Sequence, residues 1–510
     1  MGRPEPVAPF SCCQPSGQAG DYPIRPLTAA PVGYGCLFTL RLASVVDIGG
    51  QLLVIGMGRS KKADSASVLM VTEGLVCQLL QLDISDNGSW GSLSLAIKRR
   101  EIPFSPPDIT EREIEAVVEV LKSGWITTGP QTKLFEKKIA EYVGVPRAVC
   151  LNSATAAMEL TLRFLGVGPG DEVITSAYTY TASASVIHHV GAKIVLVDTA
   201  ADSYEMDYEQ LADAITERTK VIIPVDLAGK MCDYDAIYSA VESKRHLFKP
   251  NNEIQELFNR VVVMADSAHA FGATQNGKRC GQVADFTCFS FHAVKNLTTA
   301  EGGAVVWKHM PGLDHDEIYQ WFMLYSLHGQ SKDALAKSQR GGWEYDIIYP
   351  AYKCNMTDIL ASIGLAQLER YDELLKRRKE IIQLYDSFLK PHGIETIEHY
   401  GKDFASSGHL YMLQIPNIND EQRNELIVKM AEAGVTCNVH YKPLPAFTAY
   451  KNMGFDIKDF EYSLCRYQKQ ITLPLHTRLG YEDVMYVSEN LIKKWNEIRR
   501  KYGGAISKGN

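Results

Sequence analysis

Lys295 lies where a lysine is unusual. The preceding run, Asp285 to Ser290, is aromatic-rich and alternates apolar with small residues, as a buried strand does. It breaks into a Ser-Phe-His-Ala-Val-Lys turn, and a Thr-Thr-Ala-Glu-Gly-Gly run then leads into a second apolar strand, Ala304 to Trp307. A lysine in apolar surroundings loses proton affinity, because desolvation disfavours its charged form. Its free amine is then a nucleophile that can form a Schiff base with a carbonyl. Taken alone, Lys295 reads as a solvated loop lysine, and it is the rest of the chain that reverses this.

Four further features bear on it. Asn152-Ser-Ala-Thr-Ala-Ala157 stands where a strand gives way to a helix, whose free N–H groups and dipole suit a phosphate; simple capping by Ser153 is the alternative. Val261-Val-Val-Met-Ala-Asp266 is a strand ending in an acid. A carboxylate there can keep a pyridine nitrogen protonated, so that the ring takes up electrons, or it can merely cap a turn. His269, three residues on, can face a phenolic oxygen or be structural. Tyr180, at the start of a helix, can stack on a flat ring or join the core. Ser290, five residues before Lys295, can bind phosphate or simply end a buried strand. The order is phosphate turn, aromatic, Asp-x-x-His, Ser-x-x-x-x-Lys, and it converges on pyridoxal 5'-phosphate (PLP).

The elements that must position these residues alternate. Thr110 with Glu113 predicts a capping box, followed by apolar residues at helical spacing and a stop at Gly124. A helix over about Gln131 to Val143 follows. Strands are then expected at 148–151, 172–176, 193–198, 220–225 and 260–265, with helices at 155–165, 182–190 and 207–215 between them. This alternation predicts an α/β domain with a mostly parallel sheet. Beyond Trp307 the pattern predicts a long helix, whole or broken, from Asp358 to Leu389 and then a smaller α+β domain. The expected division is 1–99 as an N-terminal extension, 100–350 as the large domain and 351–510 as the small one. Residues 1–35 read as disordered or irregular, and Cys36 to Leu95 as short apolar runs without sustained period.

Composition excludes several classes. With 53 basic against 60 acidic residues and a net charge of −7, nothing invites nucleic acid or an anionic membrane. Eleven scattered cysteines without CxxC pairs read as reduced thiols, not as a disulfide framework or a zinc site. No apolar segment reaches the roughly 20 residues of a membrane span, and the N-terminus lacks a secretory pattern. The expectation is a soluble, cytoplasmic protein.

From about Ile102 to about Trp495 the chain resembles the DegT/StrS-type sugar aminotransferases, fold type I PLP enzymes. The resemblance is carried by Ser123-Gly-Trp-Ile-Thr-Thr-Gly129, Leu151 to Ala157, Gly168-Pro-Gly-Asp-Glu-Val173, Asp266-Ser-Ala-His269, Ser290 to Lys295 and Glu301-Gly-Gly303. It implies Lys295 as Schiff-base lysine and proton shuttle, Asp266 on the pyridine nitrogen, and Tyr180 stacked on the ring. It also implies that Ala154, Thr155 and Ser290 hold the phosphate and that His269 faces the ring oxygen. His440 and Tyr441 match the family's His-Tyr-x-Pro segment near the sugar nucleotide. The family commonly reads Gly-Tyr-Asn-Tyr-Arg before its next helix. Here the chain reads Ala351-Tyr-Lys-Cys-Asn355, leaving Lys353 or Asn355 for a phosphate contact across a homodimer.

The activity this implies is amino transfer, from glutamate as first choice, to a nucleotide-linked keto sugar, with a UDP- or dTDP-4-keto-6-deoxy hexose the first guess. The biosynthesis of amino sugars and surface polysaccharides is the implied setting. The alternatives are a sugar dehydratase of the same fold, which would replace Lys295 with histidine, and a non-catalytic sensor on this scaffold.

Overall fold

The computed structural model describes residues 40–48, 51–58, 67–69, 100–333, 337 and 343–503. The chain divides into two units, Met1–Ala96 and Ile97–Asn510. In the first, β1 (Leu40–Ile48), β2 (Gln51–Gly58) and β3 (Ser67–Leu69) form an antiparallel sheet in that order. This corrects the expectation that residues 36–95 carry no strand period. The β-branched runs SVVDI and LLVI flank Gly49-Gly50, which is itself a hairpin signal. The reading of residues 1–35 lies outside the described residues.

In the second unit, α1 (Glu111–Ser123) begins as its sequence dictates. The Glu113 carboxylate accepts the Thr110 N–H at 2.7 Å and its hydroxyl at 2.6 Å, and Gly124 ends the helix in the left-handed region, at φ 75°. Helix α2 (Pro130–Val143) precedes a seven-stranded sheet. Its members are β4 (Arg147–Leu151), β5 (Glu172–Ser176), β6 (Lys193–Val197), β7 (Thr219–Ile223), β8 (Val262–Asp266), β11 (Phe286–Ser290) and β12 (Gly303–Trp307). The short β9 (Thr274–Gln275) and β10 (Lys278–Arg279) lie outside it.

The order is β4-β12-β11-β8-β7-β5-β6, parallel except for β12, which is antiparallel to both neighbours. Helices α3 (Ala154–Phe164), α4 (Ala182–His189), α5 (Tyr208–Ala214), α6 (Tyr234–Ser243), α7 (Glu253–Phe258) and α8 (His315–Ser326) complete this domain. Alternate strand residues enter separate cores on the two faces: Ile174, Ile222 and Val263 on one, Val173, Val221 and Met264 on the other. Both faces being covered is why these strands read as near-continuous apolar runs.

The helical run expected over 358–389 is two helices, Asp358–Glu369 and Tyr371–Leu389. The break falls at Arg370, whose guanidinium bonds Glu113 at 2.9 Å and Asp108 at 3.2 Å. Then β13 (Glu395–Thr396), β14 (Phe404–Ala405), β15 (Tyr411–Gln414) and β16 (Gln470–Leu473) follow, with an antiparallel sheet in the order β13-β15-β16. A third core, around Ile381, Tyr385, Tyr411, Leu426 and Leu491, makes this the smaller α+β domain.

One buried ion cluster secures the entry to β11. The Asp285 carboxylate is fully enclosed. It accepts both terminal nitrogens of Arg260 at 2.8 Å and the Val263 N–H at 2.9 Å, with the Lys308 ammonium 3.0 Å away. Burial pushes its carboxyl up, but Arg260 and Lys308 outweigh this and hold it below the usual range. Asp285→Asn strands two cations, so a loss of about 3–5 kcal/mol is expected by urea denaturation.

Candidate active site

In an open, mostly parallel sheet, ligands bind beyond the carboxyl ends of the strands. Asp266 ends β8 at that edge and is 5% exposed. Its Oδ2 accepts the Ser183 hydroxyl at 2.6 Å and its Oδ1 the Ala268 N–H at 3.2 Å, both neutral donors. Burial pushes its carboxyl up, and these bonds and the charge of Lys295 only partly offset the push. Ser183 was missed from sequence. Its one signal was its place on the first turn of α4, three residues past Tyr180.

Lys295 sits in the loop from β11 to β12. The ends of that loop are fixed because Phe291 N–H donates to Gly302 O at 2.8 Å, while Lys295 N–H turns back to His292 O at 2.8 Å. Burial pushes its ammonium down to about 8, against the opposing pull of Asp266. Next to it, Asn296 donates from Nδ2 to Ser407 O at 2.8 Å and accepts at Oδ1 from His409 Nδ1 at 3.0 Å. The small domain therefore grips the residue adjoining the lysine, which local sequence reasoning did not foresee.

Around these stand neutral imidazoles. His269 Nδ1 accepts the Ala228 N–H at 3.2 Å, which leaves the proton on Nε2, 3.2 Å from the Tyr441 hydroxyl. Burial, then the Lys295 charge, depress its basicity strongly. His440 lies against Phe104, ring centroids 5.6 Å apart, with Nδ1 2.9 Å from Thr472 Oγ1. Burial pushes it down to about 3, with Lys295 adding to the effect. Tyr180 is 60% exposed, with its ring 6.0 Å from that of Tyr441, so the core alternative does not hold for it.

Ser153 does cap α3, accepting the Ala156 N–H at 3.1 Å. Ala154 and Thr155 are the first two helical residues, whose N–H groups have no carbonyl within the helix to bond. Strand β12 passes very close to them: a β-carbon at Gly303 would lie 2.3 Å from Ala154 N, so only glycine fits. Ser290 ends β11 half-buried, its hydroxyl 3.4 Å from His292 N. Cys354 O accepts the Asn152 N–H at 2.8 Å, which brings Lys353 and Asn355 alongside the same turn. Asn355 donates to the Thr128 hydroxyl and accepts from the Lys353 ammonium, so the two candidates are joined in one contact.

These residues fit PLP. The open turn at Ala154 and Thr155 suits its phosphate, Asp266, buried with only neutral donors, suits a protonated ring nitrogen, and Lys295 suits its aldehyde. Bound there, PLP supplies an electron sink for a substrate carbanion. In cofactor-free protein, acylation of Lys295 by an amine reagent should rise through an inflection near pH 8, well below that of exposed lysines. Mass spectrometry of the labelled peptide measures it, and an inflection above pH 10 would contradict the assignment.

The DegT/DnrJ/EryC1/StrS aminotransferase family matches residues 107–492. The spore coat polysaccharide biosynthesis protein SpsC of Bacillus subtilis is 37% identical over 398 residues, covering 76% of this chain and 95% of that protein. The UDP-4-amino-4-deoxy-L-arabinose–oxoglutarate aminotransferase of Shewanella sediminis is 34% identical over 392 residues, covering 75% and 95%. Among solved structures, Spr1654 of Streptococcus pneumoniae, assigned as a sugar aminotransferase, superposes with a TM-score of 0.77 in its PMP form. It is 53% identical and covers 79% of this chain and 100% of that one. Its PLP form gives a TM-score of 0.76 at 54% identity, with 78% and 100% covered. The chain belongs to the DegT/DnrJ/EryC1/StrS aminotransferase family and is a PLP-dependent aminotransferase of fold type I.

Proposed function

We propose that the acceptor is a keto sugar carried on a nucleotide, with a UDP- or dTDP-linked 4-keto-6-deoxy hexose the first choice, and that the donor is glutamate. The observation that carries this reading is the seating of the His440–Tyr441 segment, with the Tyr441 hydroxyl 3.2 Å from His269 Nε2 at the edge of the Lys295 site. The activity named for the Shewanella relative, a UDP-amino sugar paired with oxoglutarate, supports both substrates. The name of the Bacillus relative supports a role in polysaccharide biosynthesis.

In this reading the Lys295 amine takes the α-proton of the donor and returns a proton to the acceptor carbon, one base serving both half-reactions. Its lowered basicity leaves roughly a tenth of it unprotonated at pH 7, against well under a hundredth for an ordinary lysine. Asp266 holds the ring-nitrogen proton, and Ser183 keeps that carboxylate aligned. Tyr180 covers the ring, while Ala154, Thr155 and Ser290 hold the phosphate. Neutral His269 donates from Nε2 toward the ring oxygen. The dehydratase alternative is disfavoured by the lysine itself.

We also propose a homodimer with shared sites, in which Lys353 or Asn355 reaches the partner's phosphate. Trp343 at 78% exposed and Ile348 at 60% expose a large apolar surface in the segment running into Lys353, which suits a second copy of the chain. Residues 1–99 are outside every matched motif, and we propose that catalysis does not need them.

The test is a panel of nucleotide keto sugars with glutamate, following the amino sugar and 2-oxoglutarate formed. Turnover of none of them would refute the reading. Lys295→Ala should abolish turnover. Asp266→Asn should slow the glutamate half-reaction by on the order of 10²–10³, the usual loss when one charge-stabilising group is removed. For the shared site, Lys295→Ala chains mixed with a Lys353→Ala, Asn355→Ala double variant should regain activity, since one site of each mixed dimer is intact. Verified mixed dimers without activity would end that proposal.

A further inference from the structure

Away from Lys295, a cavity of about 390 Å³ opens where the loop after β6 faces β13, and Tyr204, Glu205, Lys230, Glu395, Gln414 and Arg466 are among its walls. Arg466, on the helix Glu461–Lys469, is only 8% exposed. Its Nη2 donates to Ala200 O at 3.1 Å, and its enclosed Nε has no acceptor among the described residues. Its guanidinium lies over the Tyr204 ring, 4.9 Å from the centroid. Other buried arginines reach more acceptors: Arg423 Nη1 has two carbonyls at 2.6 and 3.1 Å, and Arg378, whose Nε also has no acceptor among the described residues, reaches three carbonyls through Nη1. A cation this enclosed is costly unless it is paired.

The opposite charge stands at the other end of the same ring. The Tyr204 hydroxyl accepts from Gln414 Nε2 at 3.2 Å, and Gln414 is the direct cross-strand partner of Glu395. Residues directly opposite each other in an antiparallel pair project from the same face, which brings Glu395 to the hydroxyl end. Burial pushes the Tyr204 hydroxyl up to about 12, and the charges of Arg466 and Glu395 act on it in opposite senses. Lys230 is engaged by Glu205 at 3.3 Å, so it does not serve Glu395. A simple anion would meet the carboxylates on the wall, and a simple amine would leave Arg466 unpaired.

We propose that this cavity binds a small zwitterion, an α-amino acid, lying along Tyr204 with its carboxylate on Arg466 and its ammonium on Glu395. Packed rings join this cavity to the catalytic site. Tyr204 packs on Tyr178 with centroids 5.5 Å apart, and the Tyr178 hydroxyl donates to His440 O at 3.1 Å. An occupant is thus two rings away from the His440–Tyr441 segment.

The test is calorimetry on the PLP-loaded enzyme with each of the twenty common L-amino acids, using acetate and methylammonium as half-ligand controls. Change in cofactor absorbance on adding glutamate reports the Lys295 site separately. At least one amino acid is expected to occupy a second site per chain. Arg466→Gln and Glu395→Gln should each weaken that site at least tenfold, while the absorbance response is retained. No second site at millimolar concentration, equal affinity in both variants, or acetate binding as tightly as any amino acid would overturn the proposal. Glu395 is exposed, so Glu395→Gln decides the matter even where Arg466→Gln does not fold.

Discussion

A carboxylate buried among neutral donors is the constraint from which the site follows. Asp266 receives a hydroxyl and one backbone N–H, and burial still pushes its carboxyl up. Such a group is stable as an anion only where something brings positive charge to it, and a protonated pyridine nitrogen does so. The parallel ladder of β7, β8 and β11 sets that carboxylate at the sheet edge, and the loop leaving β11 brings Lys295 close enough for the two charges to act on each other. Lys295 and Asp266 then bias each other: the lysine lowers the acid, and the acid resists the loss of the lysine's proton. Desolvation is the larger effect on both.

Much of this was legible in the sequence because the informative features are local. Strand β5 falls where apolar run and turn residues put it, and the capping box at Thr110 and the stop at Gly124 are built as read. Family motifs ordered the candidate residues, and the sheet brings Asp266, Lys295 and the α3 turn to one edge. Non-local contacts were not legible. No pattern links Asn296 to Ser407 and His409, or Arg370 to Glu113, because each pair meets only after the domains pack. The same holds for Ser183, an ordinary helix-start serine until Asp266 is placed opposite it. The strands β1 and β2 were missed for another reason: β1 mixes Arg41, Ser44 and Asp47 among its apolar residues and β2 is a nearly unbroken apolar run, so neither keeps the alternation that marks a half-buried strand.

The imidazoles illustrate how position sets chemistry. His269, His409 and His440 all lose basicity to burial, and each also feels the Lys295 charge. They act as neutral hydrogen-bonding groups, which leaves Lys295 as the group near the site whose proton affinity is brought down toward neutrality.

The passage of β12 beside Ala154 has a consequence for how the enzyme is made. This strand comes late in the chain, yet it inserts between β4, which comes early in it, and β11. The turn at Ala154 and Thr155 is thus walled on one side by a segment that leaves the ribosome long after the turn itself. Contacts so distant in sequence are slow to form, because the intervening chain must first be ordered. In the reading proposed above, the strand that walls the phosphate turn is also the one that closes the lysine loop, so both parts of the site wait on the same late pairing.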